Sequence, residues 1–169
     1  MESPSLEKLL RICKRELANN IIISGTSCLI ALDRIGHLEI LHKLFFTIAT
    51  TSEVQKEFEK PLPSWISLKP VENNEKIKEL ELMLDKGEAS AISLALETPN
   101  SILIIDEKKG RSVAKSFNLE IIGTLGIILL AKQRGIIPSA KEVITMLADQ
   151  NFRFSDSMLN TILKEANEI

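Results

Sequence analysis

Residues 21–32 read IIISGTSCLIAL, and this stretch decides the fold. Residues 21–23 form a β-branched run with no polar position, which is typical of a strand buried on both faces of a parallel sheet. Residues 24–27 turn the chain, and from Leu29 apolar residues recur at helical spacing up to Gly36. A buried strand followed directly by a helix predicts the first unit of an α/β sheet.

The same alternation continues along the chain in both directions. Further strands are predicted at 47–49, 65–71, 102–105 and 120–122, and Pro70 places the second of these at a sheet edge. Helices are predicted over 6–17, 38–45, 52–60, 74–84, 88–97, 108–115 and 124–132, and from 139 onward with a break at 151–155. We therefore predict an α/β, three-layer fold with a central, mainly parallel sheet flanked by helices. Residues 1–19 are expected to be an N-terminal helical extension, and residues 20–169 the domain itself.

The amino-acid composition argues against several classes of function. A chain of 169 residues is one domain by default, and 21 Lys and Arg against 23 Asp and Glu give a net charge of -2. Any contact with nucleic acid must therefore come from a local basic patch. One Trp, six Phe and no Tyr argue against a base-stacking platform. Two cysteines indicate neither a disulfide framework nor a zinc site and favour the reducing cytoplasm, and the longest apolar stretch is too short for a membrane span.

Asp106 is the first candidate for chemistry. Ligands of open parallel sheets bind beyond the carboxyl ends of the strands, and the 102–105 strand runs directly into Asp106. Its carboxylate is expected in that crevice. The alternative is that Asp106 is the N-cap of the helix that starts near Lys108, which from this residue alone is at least as well supported.

Glu88 and Glu57 are further acidic candidates. Glu88 lies on the same helical stripe as the apolar residues Ala91 and Ile92, where a carboxylate is costly unless a cation or metal pairs with it. A favourable interaction with the helix dipole explains it about equally well. Glu57 borders a buried helix face, and we favour a solvated position for it. Three carboxylates at one sheet edge would suit a hard divalent cation able to activate water for phosphodiester cleavage.

A basic run follows Asp106 and includes Lys108, Lys109, Arg111 and Lys115. Such a run is usually a solvated helix face. Here it borders the proposed acidic site, where a phosphate backbone would need positive charge.

Four segments together resemble a known family. They are residues 22–32, Gly87–Ile92, Ile104–Asp106 with Gly110-Arg111, and Ile122–Gly126. In this order they resemble the PIN domains, in a branch similar to the toxin nucleases of toxin–antitoxin pairs. The resemblance extends from about residue 21 to residue 165.

The resemblance implies a PIN-like fold, bound Mg²⁺ or Mn²⁺ and cleavage of RNA. It also implies roles for residues: Glu57, Glu88 and Asp106 as the catalytic acids, Glu88 and Asp106 as metal ligands, position 25 with Thr26, Ser27 and Thr124 as supporting positions, and Lys108, Lys109 and Arg111 next to the nucleic acid. The implied partners are RNA, a small antitoxin protein or a second copy of the chain, and not a membrane.

Gly25 departs from the family pattern. The family carries an acidic residue there, at the end of the first strand, and glycine supplies no side-chain oxygen. We therefore expect metal binding and ribonuclease activity to be impaired. The alternative is a catalytically inactive PIN-fold protein that binds RNA or a protein partner.

The C-terminal helix carries apolar residues at helical spacing. Met158, Leu159, Ile162 and Leu163 are expected either to form a dimer or antitoxin surface or to pack on the core.

Overall fold

The computed structural model describes residues 4–169, with side chains from residue 7 onward, so residues 1–3 of the predicted extension lie outside the described part. The five strands are β1 (Ile21–Ser24), β2 (Ile48–Thr50), β3 (Ile66–Leu68), β4 (Ser101–Ile104) and β5 (Glu120–Ile122). The helices are α1 (Pro4–Lys14), α2 (Thr26–Arg34), α3 (Glu39–Phe45), α4 (Ser52–Phe58), α5 (Asn74–Glu81), α6 (Lys86–Glu97), α7 (Lys108–Ser116), α8 (Thr124–Gln133), α9 (Ala140–Asp149) and α10 (Asp156–Glu165).

The strands form one sheet in the order β3-β2-β1-β4-β5, and every pairing is parallel. The predicted α/β fold with a central parallel sheet is therefore confirmed, and β3 is an edge strand as predicted. Strand order reverses between β1 and β4, where the Gly25 N–H donates to the Ile104 carbonyl at 3.0 Å. In a parallel sheet such a reversal opens a crevice at the carboxyl edge, which is where ligands bind.

The sheet separates two hydrophobic clusters because successive strand residues point to opposite faces. In β1, Ile22 belongs to the cluster formed with α1–α4 and α8–α10, and Ile23 to the cluster formed with α5–α7. Both side chains are at most 3% exposed. Burial on both sides of the strand thus accounts for Ile22 and Ile23, whereas Ile21 at the start of β1 is 46% exposed.

Several element ends differ from the sequence prediction. The first helix ends at Lys14, not residue 17, although Leu17 is still buried in the core. The helix predicted from residue 52 begins there as α4, and Thr51 is its N-cap because the Thr51 side chain accepts the Val54 N–H at 3.2 Å. That helix ends two residues early because Glu59 adopts a left-handed conformation, with φ of 62°.

Both terminal helices pack against the body of the domain. On α10, Ile162 and Leu163 are buried in the core, and the partly buried Met158 and Leu159 pack against it, while a partner surface on this helix stays a prediction. The structure supports the alternative of core packing. Within residues 4–169 every helix is too short or too polar to cross a bilayer.

Candidate metal centre at the carboxyl edge of the sheet

Glu88 lies in the first turn of α6 and is only 8% exposed. The helix begins here because Asp85 is its N-cap, and the Asp85 carboxylate accepts the Glu88 N–H at 2.8 Å. Ala91, Ile92 and Ala95, one and two turns later, are buried on the sheet. The helical spacing thus carries the Glu88 carboxylate toward the protein interior, as the apolar stripe indicates.

Glu88 is one member of a group of three carboxylates. Oxygens of Asp85, Glu88 and Glu107 lie within 4.8 Å of one another, with Glu88 buried and the other two exposed. Glu107 is the N-cap residue of α7 and makes no capping bond through its side chain. The group therefore joins the N-terminal ends of two neighbouring helices.

The surroundings of Glu88 oppose its negative charge. Burial, together with the charges of the neighbouring Asp85 and Glu107 carboxylates, raises the pKa of Glu88 to about 8. Its Oε1 atom is buried without a hydrogen-bond partner among the described residues. A Cβ on Gly110 would lie 3.0 Å from that oxygen, so glycine allows α7 to approach it.

These three carboxylates fit a divalent cation. Mg²⁺ and Mn²⁺ prefer oxygen ligands and keep several waters, and two exposed carboxylates leave room for those waters. A cation would also neutralise part of the negative charge of the three clustered carboxylates. In the absence of a cation, protonation is the other way to reduce the repulsion between them. Asp85, Glu88 and Glu107 are thus the described residues best placed to hold the ion.

Glu57 lies outside this group and has both oxygens occupied. Its Oε2 accepts the Thr26 hydroxyl at 2.5 Å, and its Oε1 accepts the Gly87 N–H at 2.9 Å. A Cβ on Gly87 would collide with the Glu57 carboxylate and lie 2.6 Å from Thr26 Oγ1. Glu57 therefore connects the first turns of α2 and α6. It is not the freely solvated side chain that the sequence favoured.

Asp106 is bound to the start of α8. The Thr124 N–H donates to Oδ1 at 2.7 Å and the Thr124 hydroxyl donates to Oδ2 at 2.6 Å. Burial raises the pKa of Asp106, whereas these two bonds and the positive charge of Arg111 act to lower it. Asp106 does not cap the helix that follows it, because Glu107 is the N-cap there. It instead caps a helix that begins 18 residues later.

A family model described as a PIN domain matches residues 21–168. The chain belongs to the PIN-domain family. No match was found among curated proteins or among solved structures. PIN domains have a nuclease fold and generally use divalent metals. An acidic group that could bind a metal therefore agrees with the family. The matched range excludes α1, which precedes residue 21.

The remaining predicted positions of this PIN domain surround the same sheet edge. Gly25 directly follows β1 and is the N-cap residue of α2, with φ of -78°, and a Cβ there would lie 3.3 Å from the Ile104 carbonyl oxygen. Ser27 is half-buried in the first turn of α2. Lys108 and Lys109 are exposed at the start of α7, and Arg111 is half-buried one turn later.

The structure brings together a different set of acids from the one the sequence indicates. Among the described residues, Asp106 is not part of the group that Glu88 forms with Asp85 and Glu107. Two signals could have identified the added residues. Asp85 stands three positions before Glu88, which is the spacing of an N-cap, and Glu107 follows the β4 strand as closely as Asp106 does.

Proposed function

We propose that this PIN domain is a metal-dependent endoribonuclease whose activity is reduced by glycine at position 25. One observation carries the proposal: Glu88 is buried against two other carboxylates, and within the part of the chain that the structure describes one of its oxygens has no hydrogen-bond partner. Such a carboxylate is stabilised by either a proton or a cation. The family supplies the expectation that the cation is Mg²⁺ or Mn²⁺ and that the substrate is RNA.

In this proposal the residues of the chain hold and position the reacting groups. When bound, the cation supplies Lewis acidity that activates a water and stabilises charge on a phosphodiester. Glu88 would hold the ion with its buried carboxylate, and Asp85 and Glu107 would hold it with their exposed carboxylates. Asp106 fixes the start of α8 through Thr124, and Glu57 fixes α6 against α2. Both therefore act as positioning residues in the protein as it stands.

The same geometry supports reduced activity. Position 25 lies where strand order reverses, and glycine contributes no ligand there. The cation would be held by the group of three carboxylates, of which two are exposed. Fewer and less rigid ligands lower the affinity of an oxygen site for its ion.

The test is RNA cleavage and Mn²⁺ binding measured on the same preparations. The unchanged protein is expected to cleave a mixed single-stranded RNA slowly with Mn²⁺ and not at all with EDTA. Glu88→Gln should abolish both cleavage and calorimetric Mn²⁺ binding. Glu142→Gln removes an exposed carboxylate from α9 and should change neither. Equal Mn²⁺ affinity in the unchanged protein and Glu88→Gln would reject the metal centre.

A second candidate function is binding without cleavage, and the engaged carboxylates favour it. Both oxygens of Glu57 and both oxygens of Asp106 already accept hydrogen bonds from the protein itself. Because these hydrogen bonds stabilise the fold, the two carboxylates can be retained in a protein that has lost catalysis. RNA that is bound in EDTA but stays intact in Mn²⁺ would select this candidate.

We also propose that a small antitoxin protein or a second copy of the chain covers the acidic edge. The support is the resemblance to toxin nucleases, together with Leu82 and Met83, which are 87% and 46% exposed just before Asp85. A partner that buries these apolar side chains would also cover the carboxylates. Sedimentation of Leu82→Lys against the unchanged protein, alone and with the product of a neighbouring small reading frame, tests this surface.

The two free thiols, Cys13 and Cys28, suit the reducing cytoplasm.

A further inference from the structure

Phe46 holds a strained backbone conformation at the protein surface. It directly follows α3, its φ of 63° and ψ of -53° are rare for a bulky residue, and its side chain is 74% exposed. The Thr47 N–H donates to the Phe45 carbonyl at 2.7 Å, which closes the strained form of the γ-turn around Phe46. His42 fixes this turn, because its carbonyl accepts the Phe46 N–H at 2.8 Å and its Nδ1 donates to the Phe46 carbonyl at 2.7 Å. Strain that several bonds hold in place is characteristic of functional positions, since glycine would make the same turn without strain.

A groove of about 1110 Å³ opens beside Phe46. It lies at the amino ends of β1 and β2 and reaches β3, and we call it the amino-edge groove. Apolar residues form much of its wall: Leu17, Ile21, Ile22, Leu44, Phe45 and Ile48. A groove of this size takes several side chains rather than one.

The charged residues of the amino-edge groove are mostly cations. Those that line it in the described part of the chain are Lys14, Arg15, Glu16, Lys69 and Arg134. The charge of Arg15 is balanced by its ion pair with Glu120, which lies outside the groove. The other three cations still exceed the single carboxylate. The groove therefore suits an acidic segment with apolar side chains.

The chain itself carries a segment of this chemistry. Residues 79–85 read ELELMLD, in which every charged residue is acidic. Leu82 and Met83 are 87% and 46% exposed, and Leu82 is the most exposed large apolar side chain in the described part of the chain. Glu79 pairs with Lys76 at 3.3 Å, which leaves the other two acids of the segment beside the exposed pair.

Apolar burial is the main source of affinity for such a contact. Lys78 and Lys86 border the 79–85 segment and offset part of its negative charge. Charge complementarity mainly sets orientation and partner choice, whereas buried aromatic and aliphatic anchors supply most of the binding energy. Phe46 and Leu82 provide one such anchor on each surface.

The 79–85 segment and the groove of one copy lie at opposite edges of the sheet. The segment ends at Asp85, the N-cap of α6, and Asp85 belongs to the acidic group at the carboxyl edge. The groove lies where β1 and β2 begin, and all strands run in the same direction. The two surfaces therefore meet only between different copies.

We propose that the amino-edge groove, with Phe46 as its anchor, receives the 79–85 segment of a second copy of this chain. The inference rests on the proposed covering of the acidic edge, and it names a second copy as the partner and the groove as its docking site. Each copy offers one groove and one segment, so the contact is head-to-tail and the assembly grows by addition or closes into a ring. The docked copy lies against the acidic group, because the segment ends at Asp85, and restricts access of a substrate to it.

Sedimentation in EDTA measures the assembly without any contribution from metal. It compares the unchanged protein with Leu82→Lys, Phe46→Gly and the control Ile169→Lys. The unchanged protein and the control should show a mean mass that rises with concentration. Loss of either anchor should weaken association about 30-fold or more. Ile169 is 79% exposed and belongs to neither surface, so it matches the change at Leu82.

Phe46→Gly separates docking from folding. Glycine adopts a φ of 63° without strain, the lost ring is mostly exposed, and the bonds to His42 involve only the backbone of residue 46. In dilute solution the variant should therefore melt no lower than the unchanged protein, although it no longer associates.

A mixture of the two variants tests the head-to-tail geometry. Leu82→Lys keeps an intact groove and Phe46→Gly keeps an intact segment. Each variant should be monomeric alone, and the equimolar mixture should form a dimer that grows no further.

Three results would overturn the inference: an unchanged protein that stays monomeric, variants that associate as the unchanged protein does, or a mixture that stays monomeric. Loss of association in Leu82→Lys but not in Phe46→Gly would also overturn it and leave the proposed covering of the acidic edge standing. Association only with the product of a neighbouring small reading frame would assign that edge to a different protein.

Discussion

Asp106 and Thr124 form a two-point contact in which the N–H and the hydroxyl of Thr124 each donate to a different oxygen of the carboxylate, at 2.7 and 2.6 Å. The contact joins the end of β4 to the start of α8, next to the point where strand order reverses. A carboxylate at a helix N-terminus also interacts favourably with the helix dipole. The residue expected to be a metal ligand thus has a structural role in the protein as it stands.

Removing the Thr124 hydroxyl should destabilise the fold. Thr124→Val keeps the shape of the side chain but leaves Asp106 Oδ2 without its partner, and an unpaired group of this kind costs about 1–3 kcal/mol. Urea unfolding measures the change. Thr145→Val removes an exposed hydroxyl that bonds only to the Lys141 carbonyl, and it should change the free energy of unfolding much less. Equal effects of the two variants would contradict the role assigned to the Asp106 contact.

Glu88 should make the metal-free protein less stable as pH rises. Its pKa is about 8 in the folded protein and about 4.3 in an unfolded chain, so between these values the folded state binds more protons. Stability contributed by the neutral carboxyl is therefore complete below about pH 4 and is lost as pH rises to about 8. Thermal unfolding in EDTA from pH 5 to pH 9 should show this decline.

Glu88→Gln provides the matched comparison for that decline. The amide cannot ionise, so the variant should melt higher than the unchanged protein at pH 8 in EDTA. Mn²⁺ should raise the melting temperature of the unchanged protein and not that of the variant, because the variant lacks the buried carboxylate of the three that would hold the ion. Parallel pH profiles for both proteins would show that Glu88 does not titrate in this range.

Gly25→Asp should strengthen metal binding and raise ribonuclease activity. The backbone conformation at position 25 is open to any residue, and the added Cβ would lie 3.3 Å from the Ile104 carbonyl oxygen, so the β4 backbone has to move by a few tenths of an ångström. Another carboxylate at the sheet edge adds ligand charge. Calorimetry with Mn²⁺ and RNA cleavage with and without EDTA measure the gain. Gly25→Asn has the same shape without the charge and should gain neither property. If aspartate behaves like asparagine, position 25 lies outside the metal centre.

Gly87→Ala should destabilise the first turn of α6. The added methyl group collides with the Glu57 carboxylate and lies close to the Thr26 hydroxyl, so overpacking should cost about 1–3 kcal/mol. Lys86→Ala, one residue earlier and exposed, should leave the free energy of unfolding nearly unchanged. Chemical unfolding of both variants measures the difference. A Gly87→Ala protein as stable as Lys86→Ala would show that Glu57 is free to move away.

The sequence by itself determined the parallel sheet and the burial of Glu88. The apolar runs at 21–23 and 102–105 have no polar face, which is typical of a strand covered on both sides, and all of these residues except Ile21 are buried. The spacing of Glu88 to Ala91 and Ile92 likewise places its carboxylate on the buried side of α6. The spacing of apolar residues and their hydrophobicity are local properties of the sequence, so they indicate burial before any tertiary contact is known.

Only the tertiary structure decided which carboxylates meet. Asp85, Glu88 and Glu107 come together because α6 and α7 begin side by side, and that depends on the strand order and on Gly110 allowing close approach. Asp106 and Glu57 are satisfied by Thr124, Thr26 and Gly87, partners 18 to 31 residues away in the chain. Apart from Asp85, which lies three residues before Glu88, these partners come from distant segments of the chain, and no local pattern in the sequence encodes them.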